Sequence, residues 1–339
     1  MKPEALLHPT PQGLYCPPGD FFIDPVAPVD RAVITHGHAD HARSGHRAVL
    51  ATPETLAIMA VRYGEGFTER RQALNLGEVV DVNGVTVWLA PAGHVLGSAQ
   101  AVVEYQGVRI VTTGDYKRRR DPTCEGFEPV ACDVLISEAT FGLPVFQHPD
   151  TSCEVQKLLK SVEQFPERTH LVGAYALGKA QRLMSHLREE GYDRPIFIHG
   201  AMQKLCDLYE HLGVRLGELQ PATIDRGRQA GKDRFTGQIV VCPPSAIQST
   251  WARRFADPLP VFASGWMRVR QRAKQRGVEL PLIVSDHADW TELTDTVKDV
   301  NPSELWVTHG REDALCRWAA LEGRDARALH LVGYEEDGE

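Results

Sequence analysis

Over the first 147 residues the chain shows short runs in which apolar and polar positions alternate, broken by turns, and this period of two predicts strands. Candidate strands are Arg31–Thr35, Val79–Val82, Val85–Leu89, Ala101–Tyr105, Val108–Thr112 and Val134–Ser137. Asn83-Gly84 and Gln106-Gly107 stand between paired runs as hairpin turns. Only Pro53–Tyr63 has helical spacing there. From Ser152 the pattern changes. Helices at Ser152–Gln164, Lys179–Glu190, Met202–Leu212 and Ala246–Phe255 alternate with strands at His170–Gly173, Ile196–His199, Gln238–Cys242 and Pro260–Ser264. Such alternation predicts parallel βαβ units and a second domain. A strand at Leu282–Ser285, a helix at Trp290–Val300 and a strand at Leu305–Thr308 close the chain. The expected organisation is a first domain over 1–147, an insert over 148–278 and a return to the first domain over 279–339.

Composition narrows the class. With 42% hydrophobic and 24% charged residues the 339-residue chain is globular, not disordered or coiled-coil. No stretch of about 18 apolar residues predicts a membrane span, and the start lacks the apolar core of a signal peptide. Seven cysteines, odd in number and never spaced C-x-x-C, argue against a disulfide framework or a thiolate zinc site, so a reducing, cytoplasmic setting is expected. The net charge of −8 argues against a simple basic nucleic-acid-binding module.

Residues 36–41 read His-Gly-His-Ala-Asp-His, directly after an apolar run. Three imidazoles and a carboxylate within six residues suit zinc or manganese better than calcium or magnesium. One loop cannot close two metal sites, so more ligands are expected. His94, Asp115 and His309 each follow an apolar strand and are candidates, although a strand-end Asp or His is commonly just a turn residue.

The series His36-x-His38-x-Asp40-His41, His94, Asp115 and His309 resembles the metallo-β-lactamase superfamily. That resemblance implies an α/β fold, an αββα sandwich with a dinuclear metal site at one edge. It assigns His36, His38 and His94 to one ion, Asp40, His41 and His309 to the other, and Asp115 to both. Asp24 matches the superfamily's first motif and would orient metal ligands by hydrogen bonding. Between Glu138 and His287 the chain resembles the β-CASP domain of nucleic-acid-processing members, through Ser137-Glu138-Ala139-Thr140-Phe141-Gly142, Tyr175-Ala176-Leu177-Gly178-Lys179-Ala180-Gln181, Ser285-Asp286-His287-Ala288-Asp289 and Val307-Thr308-His309-Gly310. Within that family it is most similar to bacterial ligase-associated DNA exonucleases, through Ala263-Ser264-Gly265-Trp266-Met267 and a length without an added RNA-binding tail.

The resemblance implies hydrolysis of a phosphodiester by hydroxide shared between two divalent ions, zinc or else manganese, with Asp40 in the reacting group of residues. His287 would be the general acid and Glu138 its orienting partner, since a carboxylate beside an imidazole favours the charged ring. DNA is expected over RNA, with a DNA ligase or helicase as partner by family likeness. Phosphate contacts are expected from two basic runs, Lys117, Arg118 and Arg119 after Asp115, and Arg268, Arg270, Arg272 and Lys274; the ordinary reading of a charge run is a solvated face. Three other readings compete: a β-CASP ribonuclease or RNA 3′-end-processing endonuclease, an inactive nucleic-acid-binding scaffold, and a small-molecule hydrolase. Gly178-Lys179 lacks the Walker spacing, which removes a nucleotide-binding loop.

Overall fold

The structure is a computed structural model that describes residues 1–223, 233–329 and 331. The chain divides into two compact units, one of residues 1–147 with 287–339 and one of residues 148–286.

The first unit contains a six-stranded and a seven-stranded sheet. One runs His8–Thr10, Gly13–Cys16, Phe21–Ile23, Arg31–Val33, Ala48–Ala51 and Arg70–Ala73 in spatial as in chain order. The other runs, in space, Asp325–Ala328, Glu304–Gly310, Val134–Ala139, Val108–Thr112, Ala99–Tyr105, Val85–Pro91 and Val79–Val82. Neighbouring side chains on a strand point to opposite faces, and the sequence uses both. Val103, Ile110, Val134, Ile136 and Trp306 meet Leu14, Phe21, Ile23, Val33 and Leu50 of the other sheet in one core. The alternate residues Val102, Val111, Leu135, Leu305 and Val307 pack outward on Leu293 and Val297 of helix Trp290–Val300 and on Leu315 and Ala319 of helix Glu312–Leu321. Ala32, Ile34, Val49 and Ala51 take Leu56 and Met59 of helix Pro53–Tyr63 on the far face of the first sheet. Helix, sheet, sheet and helix layers make this an αββα sandwich, and central strands covered on both faces explain runs such as Val134–Ser137 that are apolar nearly throughout.

The second unit is a six-stranded, all-parallel sheet in the order Leu219–Pro221, Ile196–Ile198, Ile239–Cys242, Thr169–Gly173, Pro258–Ala263 and Leu280–Leu282. The strand at Leu280–Leu282 pairs with Pro258–Ala263, so this unit continues to Asp286, past the 278 expected from sequence. The strand expected over Leu282–Ser285 therefore ends at Leu282. The helix expected over Ala246–Phe255 is instead two short pieces, Pro244–Ile247 and a 3₁₀ turn at Ala252–Arg254. Ser249 explains the break, since its hydroxyl donates to Ala246 O and accepts from Trp251 N, diverting backbone groups from the helix.

The seven-stranded sheet carries an irregularity between its second and third strands. Strand Glu304–Gly310 pairs in register with Val134–Ala139 up to Thr308 opposite Glu138, but Gly310, not His309, lies opposite Ala139. His309 is the extra residue of a β-bulge and has φ +58°, which turns its side chain out of the ladder. Gly310 comes next with φ +84°, and a Cβ there would sit 2.3 Å from Ala139 O. Gly310→Ala is expected to destabilise the protein by about 1–3 kcal/mol or more in urea unfolding. Gly107→Ala, at φ +77° but with open space around it, should cost only about 1 kcal/mol; equal costs would remove the packing argument.

Candidate metal centre

The histidines and carboxylates of the cluster all belong to the first unit and lie at or just past a strand end. Strand Arg31–Val33 delivers residues 35–41, strand Val85–Pro91 delivers His94, Val108–Thr112 delivers Asp115, Val134–Ala139 carries Glu138 and Glu304–Gly310 carries His309. His36, His41 and His94 are almost fully buried, as are Asp24, Asp115 and Glu138.

Asp115 is the hub. Its Oδ2 lies 3.4 Å from His36 Nε2, 3.5 Å from His41 Nε2 and 3.8 Å from His94 Nε2. His94 Nε2 is 2.9 Å from His38 Nδ1. Asp40 Oδ2 is 3.5 Å from His41 Nε2. Two sets of donor atoms form around it, each within 4.8 Å: His36, His38, His94 and Asp115, and Asp40, His41 and Asp115; a third, Asp115, Glu138 and His287, is as close. His309 stacks on His41 at 5.3 Å between ring centroids. The close passage of Asp115 past the loop of residues 35–41 requires Gly114, with φ +57°, where a Cβ would meet Thr35 Oγ1 at 2.7 Å.

Asp24 lies beneath this cluster at φ +44°. Its Oδ1 accepts from Thr35 N at 2.8 Å, its Oδ2 accepts from Thr35 Oγ1, and Oδ2 is 2.8 Å from His41 Nδ1. One carboxylate thus fixes both the start of the histidine loop and the tautomer of His41, leaving Nε2 of His41 toward Asp115 and Asp40. The electrostatics are those of a crowded charge site. Burial pushes His41 down, but Asp115, Asp40 and Asp24 outweigh it and raise the imidazole to about 10. Burial and the charge of His41 lower His309 to about 4. Burial pushes Asp115 up, yet His41, His287 and His36 hold it well below the usual carboxylate range.

The residues fit divalent ions. Imidazole nitrogen and carboxylate oxygen are the donors that zinc and manganese accept. His36 Nε2 is buried with no hydrogen-bond partner among the described residues, although an oxygen stands 3.4 Å away. A buried, unsatisfied ring nitrogen costs free energy unless something else is bound to it.

His287 stands next to this cluster, with its ring 4.6 Å from that of His94 and edge-on to Phe141 at 6.2 Å. Its Nδ1 is 3.2 and 3.1 Å from the two oxygens of Glu138, and Glu138 Oε1 also accepts from Tyr116 N at 2.8 Å. The His287 side chain keeps 14% of its surface, enough to meet a substrate.

The first basic run corrects an expectation. Lys117 is 2% exposed and its Nζ donates to Glu292 Oε2 at 2.6 Å, so it cannot hold a phosphate in solution. Arg118 pairs with Asp299 at 2.5 Å and Arg119 with Asp289 at 2.7 Å. The sequence presents the three cations as one run, while their acids lie 170 to 181 residues away. Asp289 and Glu292 form a capping box at the start of helix Trp290–Val300, and Glu292 serves a second time as the acceptor for Lys117. In the second unit Arg268, Arg270 and Lys274 are exposed, and Arg272 stacks at 3.9 Å on Trp266. Residues Arg270–Gln275 form a short helix, so the charges spread over more than one face.

Burial pushes the Glu292 carboxyl up, but Lys117 and Arg119 overcome that and hold it at about 2, against 4.5 ordinarily. A depressed carboxylate stabilises the fold above its unfolded value and loses that contribution as pH falls from 4.5 toward 2. Glu292→Gln should remove about 2 kcal/mol of the stability lost between pH 5 and pH 3, measured by urea unfolding at both values. An unchanged pH slope would contradict it.

Comparison with known proteins agrees with this geometry. Residues 24–164 match the model of the metallo-β-lactamase superfamily. Among curated proteins, the chain is 29% identical over 325 residues to a "Probable DNA ligase" of Opitutus terrae, covering 94% of this chain and 30% of that protein. It is 24% identical over 387 residues to "Cleavage and polyadenylation specificity factor subunit 3-I" of Arabidopsis thaliana, covering 92% and 55%. It is 32% identical over 299 residues to "Cleavage and polyadenylation specificity factor 73" of Drosophila melanogaster, covering 75% and 44%. The chain thus spans about a third to a half of these relatives. A crystal structure of a protein of unknown function from Enterococcus faecalis shares the fold, with a TM-score of 0.58 and 14% identity over 91% of this chain and 80% of that one. The αββα sandwich, the histidine–aspartate cluster and the match over residues 24–164 together show that this chain carries a domain of the metallo-β-lactamase superfamily.

Proposed function

We propose that this chain is a metal-dependent phosphodiesterase of the β-CASP type that acts on nucleic acid, and that it degrades DNA from an end. The observation that carries the reading is the His287–Glu138 pair beside two donor sets that share Asp115. His36, His38 and His94 with Asp115 would hold one divalent ion, and Asp40, His41 and His309 with Asp115 the other. When bound, such a pair lowers the pKa of water and neutralises charge on the phosphoryl oxygens; zinc is favoured by the imidazole-rich donors and manganese is the alternative.

The protein's own groups supply the rest. Water oxygen bonds to phosphorus, the bond from phosphorus to the departing sugar oxygen breaks, and that oxygen takes a proton from His287. With Nδ1 committed to Glu138, Nε2 is the nitrogen that transfers it. Glu138 is held by Tyr116 N and so keeps the ring oriented. Asp24 orients His41. Exposed Arg268, Arg270 and Lys274 can meet phosphates through charge.

DNA is favoured by the relative named a DNA ligase, whose match covers 94% of this chain. That match also supports association with a DNA ligase; a helicase partner rests on the family likeness alone. RNA cleavage is the second reading, favoured by relatives named endoribonuclease, one of them 29% identical over 60% of this chain. A reducing, cytoplasmic setting accords with seven free cysteines; no helix among the described residues is long and apolar enough to cross a membrane.

Incubation of zinc- or manganese-loaded protein with end-labelled single- and double-stranded DNA and RNA tests the proposal. Mononucleotides released from DNA are expected; cleavage of RNA alone would establish the second reading, and no cleavage of either would overturn both. Two variants assign the roles. Asp115→Ala should lose both ions and all turnover, and full metal content with normal turnover would refute the shared ligand. His287→Ala should slow cleavage by roughly 10²–10⁴-fold with both ions retained, whereas loss of metal would make His287 a ligand.

A further inference from the structure

Lys117 is buried two residues beyond Asp115, and an ammonium in that position needs a reason. Replacing such a pair by apolar residues is often neutral or stabilising, so the charge itself must be useful. Nζ carries three protons. One goes to Glu292 Oε2 at 2.6 Å and another to the main-chain carbonyl of His287 at 3.0 Å. An apolar residue could not make that second bond.

We propose that Lys117 is a positioning residue for His287, with Glu292 as its anchor; the proposal rests on the reading of His287 as the proton donor. His287 is held at two points, its ring by Glu138 and its main chain by Lys117. Both tethers arise from one segment, because Tyr116 N fixes Glu138 and Lys117 Nζ fixes His287. That segment starts at Asp115, so three consecutive residues set the distance between the proton donor and the carboxylate at the hub of the cluster. The segment is itself clamped. Lys117 N donates to Ala92 O at 3.0 Å, and Gly93, next to His94, has no room for a Cβ, which would lie 2.2 Å from Lys117 O. Glu292 is anchored by Arg118 N at 3.0 Å, Arg119 N at 2.8 Å and Asp289 N at 3.1 Å besides Lys117. A donor ring displaced by about 1 Å can lose 10²-fold in rate, so a rigid main-chain tether has catalytic value even though Lys117 touches no substrate.

The test is a double-mutant cycle. The pair Lys117→Met with Glu292→Gln removes both charges together, so neither is left buried without its partner. It is expected to bind two ions per chain and to melt close to the parent, with KM unchanged and kcat lowered roughly 10–100-fold. In a His287→Ala background the same pair should lower the residual rate no further, because its effect passes through His287. Lys117→Arg provides a second route if the pair fails to fold. It keeps the charge beside Glu292 but moves the donor away from the His287 carbonyl, so kcat should again fall only when His287 is present. Parent-like kcat, or an equal loss in both backgrounds, would overturn the positioning role. Parent-like turnover of His287→Ala alone would instead overturn the proton-donor reading, a separate result.

Discussion

Asp115 is one buried carboxylate surrounded by imidazoles, and much of the first unit is arranged to keep it there. A lone ionised carboxylate at that depth is costly and would take up a proton. Here His36, His41 and His94 approach one of its oxygens at 3.4–3.8 Å, and the surrounding imidazoles, His41 first, hold it well below the usual carboxylate range. Each neighbour demands its own support. His41 needs Asp24 behind it, Asp24 needs the hydroxyl and amide of Thr35, and Gly114 must lack a side chain so that Asp115 can pass Thr35. The cluster is a chain of dependencies.

The sandwich provides the edge on which this can happen. Parallel strands in the two sheets end side by side, so loops distant in sequence converge without leaving their strands. Two departures from regular backbone sharpen the aim. Asp24 and His309 both sit at positive φ, a conformation that costs about 1–3 kcal/mol for residues other than glycine and persists only where neighbouring structure holds it. At His309 the bulge and Gly310 supply that hold.

The strands flanked by alternating residues, the hairpins at Asn83-Gly84 and Gln106-Gly107, and the histidine loop of residues 36–41 were legible in the sequence because local period and residue type carry them, whereas His94, Asp115 and His309 were joined to that loop by the family resemblance. The short strands His8–Thr10, Gly13–Cys16 and Phe21–Ile23 were not, since three or four residues hold too little pattern to register. Arg70–Ala73 reads as polar because it is an exposed edge. The fate of the basic run was equally hidden. Nothing near Lys117 shows that its partner is Glu292, and a lysine that looked like a phosphate contact is instead an internal brace. Long-range ion pairs leave no local signature, so sequence spacing says what a site can contain and less about what is already spoken for.

Anomalous diffraction from crystals grown with Mn²⁺ or Zn²⁺ tests the shared-carboxylate arrangement most directly. Two peaks roughly 3.5–4 Å apart, one on each side of the Asp115 carboxylate with His36, His38 and His94 around one and Asp40, His41 and His309 around the other, are the expected result. A single peak, or peaks that leave Asp115 uncoordinated, would contradict it.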